Sequence, residues 1–267
     1  MQRQPSVAGQ FYPGSSQQLR AVLSEMLPES GEKQKVFGII VPHAGYVYSG
    51  AIAGELYAKI EIPSTVLVIC PNHHGAGAAA ALYPEGEWLT PLGATSINSR
   101  LNALLQKHVP LVQLDDLAHQ REHSLEVQLP FLQYLRPDVS IAALCLGRGD
   151  YPVLKLIGEG VAAAIREYGD DVLIVASSDM SHYEASDVTR DKDRAALERA
   201  VAFDTEGLLE VCRSRRITMC GVVPSVIMLE AARSLGATEA KLVRYGTSGD
   251  VTGDDRQVVG YAAVLVR

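Results

Sequence analysis

Four of the chain's seven histidines stand just beyond apolar runs. VFGIIV-PHAGY carries His43, TVLVIC-PNHH carries His73 and His74, and VLIVASS-DMSH carries Asp179 and His182. Imidazole titrates near neutral pH and is the commonest protein metal ligand, and a nearby carboxylate can orient it for either task. His43 lies between Pro42 and Gly45, the composition of a fixed turn. His73 and His74 are adjacent, and neighbours on an extended chain point opposite ways. One of them therefore faces a pocket while the other packs beside it, and the motif alone does not say which. Asp179 precedes His182 by three residues, so its carboxylate can bind a metal, orient an imidazole or cap a helix.

Two further segments carry chemistry. Glu122-His123-Ser124 precedes the apolar pattern SLEVQLPFLQYL. Ser124 is expected to cap that helix, with Glu122 and His123 at its positively polarised end. His123 then serves either in capping or in binding substrate or a neighbouring ligand. Cys220 lies in ITMCG, just before a helix with Pro224 in its first turn. A thiol there is expected to have a lowered pKa and to act as nucleophile or soft metal ligand, against the alternative of an inert core residue. Two His plus one anionic ligand with open positions is the non-haem Fe(II) arrangement, and the same set suits Zn, or Cu if the thiolate binds.

Other motifs carry less. Cys70 and Cys145 sit in apolar runs and Cys212 in a helical pattern, so all three are expected in the core, and no CxxC occurs. His108 and His119 have polar neighbours and are expected at the surface. Gly75 to Ala80 matches GxGxxA in form, but PNHH intervenes and no acidic residue follows about 20 positions on, which excludes a dinucleotide fingerprint. Asp250, Asp254 and Asp255 lack EF-hand spacing.

The elements that must position these residues alternate. Leu19, Val22, Leu23, Met26 and Leu27 have the spacing of an amphipathic helix. Strands are expected at Val36 to Val41, Thr65 to Cys70, VSIAALCLG up to Gly147, Val172 to Ser177, Ala240 to Tyr245 and Val258 to Val266. Helices are expected in SGAIAGELYAKI, after an Asp150 cap, as a pair between Asp191 and Arg213, and from about Pro224 to Leu235. Continuous apolar strands indicate burial on both faces. The expected fold is α/β: a three-layer α/β/α sandwich around a mostly parallel sheet, with antiparallel edge strands near the C-terminus. No linker or repeat appears, so residues 1–267 read as one domain. The polar stretch from Gly246 to Gln257 reads as a surface loop, with a lid as the alternative. In open α/β sheets ligands bind outside the carboxyl ends of the strands, where the histidines fall.

Composition narrows the function classes. The formal charge of −7, from 24 basic and 31 acidic residues, argues against a nucleic-acid surface. No run approaches the ~20 apolar residues of a membrane span, and the start has no signal-like core, so a cytoplasmic protein is expected.

On these motifs the chain resembles the Memo family. The resemblance runs through VAGQFYP (Val7 to Pro13), VPHAGYVYSG (Val41 to Gly50), CPNHHG (Cys70 to Gly75), EHSLEVQLPFL (Glu122 to Leu132), SSDMSHY (Ser177 to Tyr183) and TMCG (Thr218 to Gly221). That family is the system protein B of gene sets that also hold an AMMECR-type protein and a radical SAM protein, which implies a functional link to both. It is similar to the class III extradiol dioxygenases, which cleave catechols with non-haem Fe(II). The resemblance implies His43 and His74 as metal ligands, Cys220 in place of the dioxygenases' acidic ligand, His182 as acid/base and Asp179 beside the metal. A thiolate ligand is softer and oxidisable, which opens copper and redox chemistry. The expected function is a metal-dependent redox enzyme, with Fe(II) before Cu, acting on an unknown small molecule or peptide. His43, His74 and Cys220 would bind the metal, and His182, Asp179 and His123 would serve catalysis. The competing readings are a non-catalytic binding module using the same pocket and a metal-free hydrolase using Cys220, His182 and Asp179.

Overall fold

A computed structural model describes residues 1–267. Twelve strands form one sheet: β1 (Gln2–Arg3), β2 (Gly38–Val41), β3 (Thr65–Pro71), β4 (Ala80–Leu82), β5 (Glu87–Thr90), β6 (Gly93–Ile97), β7 (Gln113–Leu114), β8 (Ser140–Leu146), β9 (Val172–Ser177), β10 (His182–Glu184), β11 (Ala240–Thr247) and β12 (Val258–Val266). Ten helices accompany them: α1 (Ser16–Met26), α2 (Tyr46–Ala58), α3 (Ser99–His108), α4 (His123–Glu126), α5 (Leu129–Leu135), α6 (Tyr151–Tyr168), α7 (Ser186–Val201), α8 (Thr205–Ser214), α9 (Val222–Leu235) and α10 (Gly249–Thr252).

The centre of the sheet runs β6-β8-β3-β9-β2, all parallel, and β12 then joins β2 antiparallel. Antiparallel β11 and β10 both border β12, as expected near the C-terminus. The parallel strands are apolar at nearly every position because both faces are covered. Along β9, Val172, Ile174 and Ala176 enter the core under α3, α6 and α9, whereas Leu173 and Val175 enter the opposite core under α1, α2 and α5. Each fully buried aliphatic side chain stabilises this arrangement by roughly 1.5–3 kcal/mol. The result is the expected α/β/α sandwich.

One topological step assembles the site. β9 comes late in the chain but inserts between β2 and β3. The turns after β2, β9 and β3, with His43, Asp179 and His73, therefore stand side by side at the carboxyl edge of the sheet.

The short strands β4 to β7 were not expected, since each is only two to five residues long. The GxGxxA stretch leads into β4 and not into a helix, with Gly75 and Gly77 both at positive φ. His119 is a correction: it is fully buried, its Nε2 bonded to the Ala81 carbonyl at 3.0 Å and its ring edge-on to Tyr83 and Trp88. His108 lies partly exposed beside Glu167, away from the site.

Candidate metal centre

His43 is wired from behind. Ser177 Oγ–H donates to the Ser124 carbonyl at 2.7 Å, and the hydroxyl accepts from Gln128 Nε2 at 2.9 Å. Its only proton is thus committed, so the 2.9 Å contact with His43 Nδ1 requires Nδ1–H to donate. The lone pair of His43 is left on Nε2, facing the cleft. Gln128 is itself fixed by the Pro42 carbonyl and by Tyr57 O–H. Burial, reinforced by His123 and His73, holds the His43 pKa well below its ordinary value.

His73 is wired the same way through Glu122. This buried carboxylate accepts the His73 amide at 2.8 Å and its Nδ1–H at 2.9 Å. It also accepts the Ser124 amide at 3.0 Å and the Ser124 hydroxyl at 2.6 Å. Glu122 therefore caps α4, in place of the Ser124 cap expected from sequence. Burial pushes the Glu122 pKa up, but the His73 and Ser124 donors outweigh it and leave it well below the usual carboxylate range. Burial likewise lowers the His73 pKa, and the hydrogen bond and charge of Glu122 reverse this to a net rise.

The ring stacked on His73, with centroids 5.0 Å apart, is His123 at the start of α4. His43, His73 and His123 each offer a ligand nitrogen, and the three atoms lie within 4.8 Å of one another. His74 is outside this group. Its side chain is directed to the surface, where Nε2 meets the Arg121 carbonyl at 2.9 Å. The expectation of His74 as ligand is thus reversed. The amide and ring of His73 both bind Glu122, so this residue turns inward and its neighbour outward. His123, expected in catalysis or capping, stands in the histidine cluster that could hold a metal.

Cys220 joins from the loop before α9. Its Sγ lies 3.3 Å from His43 Nε2 and accepts the Asp179 amide at 3.3 Å. Its pKa is a second correction: burial, with Asp179 nearby, pushes the thiol up where the helix N-terminus was expected to lower it. Asp179 is not a helix cap. Its Oδ1 accepts the His43 amide at 2.8 Å, and burial raises its pKa to about 7 against the pull of the His43 and Ala44 amides. His182 is tied to Thr218, its amide on Oγ1 at 2.7 Å and its Nδ1–H on the carbonyl at 3.0 Å. Burial lowers its pKa. Cys220 pairs with His43 and not with His182, so a Cys220–His182–Asp179 relay is not assembled.

The front of the centre is a cleft of about 820 Å³ that includes His43, His73, His123, Asp179 and His182. The stretch from Gly246 to Gln257 forms one wall through Ser248, Thr252, Asp254 and Gln257. The N-terminal segment forms another. Glu126 accepts Arg3 Nη1 at 2.6 Å, the Ser6 and Val7 amides at 2.8 and 3.0 Å and Tyr12 O–H at 2.6 Å. That knot holds Phe11 with its ring edge against His123 at 4.9 Å. Ser177, Glu122, Glu126 and Gln128 are thus parts of the centre whose roles the sequence did not reveal. The available signal was polar residues inside otherwise apolar stretches.

This geometry can be set beside known proteins. The Memo-like protein family model matches residues 3–265. A MEMO1 family protein of Methanothermobacter thermautotrophicus is 40% identical over 274 residues, covering 98% of this chain and 99% of its own length. One from Aquifex aeolicus is 42% identical over 265 residues, covering 98% of each. One from Methanopyrus kandleri is 38% identical over 281 residues, covering 100% and 99%. Among solved structures, an uncharacterized protein of Escherichia coli K12 superposes with a TM-score of 0.54 at 15% identity. The match covers 86% of this chain and 99% of that one, a likeness of fold.

Proposed function

Because the chain belongs to the Memo-like protein family, we propose that its histidine centre holds a transition-metal ion and supports redox or oxygen chemistry on a small molecule or peptide entering the front cleft. The observation that carries this reading is the convergence of His43, His73 and His123 within 4.8 Å. On His43 and His73 the outer nitrogen is already spent on an orienting partner. Histidine ligands of metals are held in this way by carboxylates and other acceptors behind them.

The donor set also fits. Three imidazoles with a thiol alongside suit Fe, Cu or Zn and do not suit the hard cations Mg and Ca. The buried Asp179 carboxyl, whose pKa stands near 7, supplies negative charge that a cation would stabilise. We place Fe(II) first and Cu second. Such an ion, when bound, supplies electron-transfer and dioxygen chemistry that no side chain here can perform.

The chain's own residues set the conditions. Glu122 and Ser177 fix two imidazole tautomers. Burial raises the Asp179 pKa to about 7, so its carboxyl at the cleft wall can hold or release a proton near neutral pH. His182 is neutral there, and with Nδ1–H on Thr218 its Nε2 lone pair can accept a proton from a substrate. Phe11 and Tyr48 offer apolar faces for the substrate body. A cytoplasmic setting belongs to the same proposal. All four cysteines are free, and no helix is long and apolar enough to cross a membrane.

The test is metal content after purification without chelators and reloading with Fe(II) or Cu. His43→Ala and His73→Ala should lose tight metal, and His74→Ala should retain it. A parent that retains no metal after desalting, or equal retention in all three variants, overturns the reading. A second reading, a partner-binding platform, is favoured by the exposed apolar side chains Val47, Tyr48 and Tyr183 at the cleft mouth. Dioxygen uptake with a panel of phenols and peptides separates the two, because the platform gives none.

A further inference from the structure

The centre has two entrances. The front cleft contains the three histidines but not Cys220. A second cleft of about 490 Å³ opens behind, between the loop after β8, helix α8 and the start of α9, and Cys220 lies in its wall. His73 is common to both clefts.

The two clefts have opposite charge. The front one is lined by Asp179 and Asp254 and by no Lys or Arg. The rear one is lined by Arg148 and Arg213 and by no Asp or Glu, in a chain whose net charge is −7. Arg213 is tied to Asp150 and to the Gly149 carbonyl. Arg148 is exposed and stands free of any ion pair within the chain. Beside the arginines and Cys220 the lining includes the apolar Leu146, Leu209, Ile217, Met219, Val222 and Val223, with Asn72 and Thr218 as polar members. A guanidinium recognises carboxylate or phosphate oxygens, and the apolar wall accepts a short hydrocarbon body.

We propose that the rear cleft is a second binding site, taking a small organic anion whose charged group meets Arg148 and whose apolar body runs inward toward the Cys220 sulfur. The front cleft would then admit a neutral or cationic partner, so that two molecules could approach the centre from opposite sides. The proposal deepens the metal reading, since Cys220 belongs to the same centre, but the site itself stands on the cleft and its charge.

The test uses alkylation of Cys220, read by mass spectrometry at one alkaline pH on the purified protein, before and after removal of bound metal with EDTA. Iodoacetate carries the anion, iodoacetamide is its neutral counterpart, and free cysteine normalises the pair. The normalised ratio of iodoacetate to iodoacetamide rates should exceed that of Arg148→Glu by about threefold or more, as a local charge reversal steers an anionic reagent. Hexanoate should protect Cys220 in the parent and not in Arg148→Glu. Val47→Trp, which narrows the front mouth, should leave the rates unchanged. Equal ratios in parent and Arg148→Glu, absence of hexanoate protection, or slowing by Val47→Trp each overturn the proposal. Because the decisive rates are measured without metal, failure of the metal reading does not alter them. Loss of the charge dependence, conversely, leaves the metal reading standing.

Discussion

Glu122→Gln replaces one carboxylate oxygen by an amide group and removes one charge, with almost no change of volume. In the parent, Oε2 accepts the His73 amide at 2.8 Å, while Oε1 accepts His73 Nδ1–H at 2.9 Å and both Ser124 donors. Glutamine can keep its oxygen on the side with three donors. Its NH2 group then faces the His73 N–H, donor against donor. One charge-assisted hydrogen bond is lost outright and the others weaken, and such bonds contribute about 1.5–3 kcal/mol each. The variant should therefore unfold with a loss of ~2–3 kcal/mol, a fall of about 4–12 °C in Tm for a chain of this size. The larger consequence falls on His73. Without the carboxylate its imidazole is less basic and less firmly oriented, and loss of such an orienting partner lowers metal affinity by about 10–100-fold. Competition titration against a chromophoric chelator measures that affinity, and differential scanning fluorimetry measures Tm. Unchanged metal affinity alongside a lowered Tm would show that Glu122 is only a helix cap. Unchanged values of both would refute the wiring.

Three further outcomes follow from buried or strained positions. The His119 pKa is lowered to about 4 by burial, against the modest opposing effect of its bond to Ala81. A histidine whose pKa is depressed by folding contributes its full stability above the unfolded value of about 6.5 and loses it as pH falls toward 4, a total near 3 kcal/mol at about 1.4 kcal/mol per pH unit. Urea midpoints at the two pH values, in parent and His119→Gln, check this: a parent with no greater acid sensitivity than the variant contradicts the assignment. At Gly221 an added Cβ would lie 2.4 Å from the Ser177 carbonyl oxygen and from Ser178 Cβ. Gly221→Ala should cost about 1–3 kcal/mol by overpacking and displace Cys220 from His43, seen as weakened metal binding, and normal stability with normal binding refutes the close approach. Tyr183 has φ of 60° and is 72% exposed, so Tyr183→Gly should raise stability by about 1 kcal/mol through relief of left-handed strain. A destabilised variant would mean that the ring contributes packing that outweighs the strain.

Much of the frame can be read without coordinates. The runs ending at Val41, Cys70 and Ser177 are continuous and apolar because they lie in the middle of a two-sided core, and each is followed within three positions by a chemically active residue. Short strands such as β5 and β7 leave no such trace, because two to four residues make no periodic pattern and their pairing comes from distant segments. His119 misleads for a related reason. Polar Asp116, Gln120 and Arg121 lie near it in sequence, while its neighbours in space are Tyr83 and Trp88.

The apolar runs place His43, His73 or His74, Asp179 and His182 beyond strand ends, and the resemblance in motifs implies that Cys220 joins them. Which of the adjacent histidines turns inward is set by a long-range contact. That choice depends on Glu122, 49 residues further along the chain, whose carboxylate takes both the amide and the ring of His73. Packing also brings His123 beside His43 and His73 and raises the Cys220 pKa, since proximity and burial are properties of the folded chain. Local sequence determines which groups are available, and the long-range contacts of the fold determine which way each one points and how hard it is to charge.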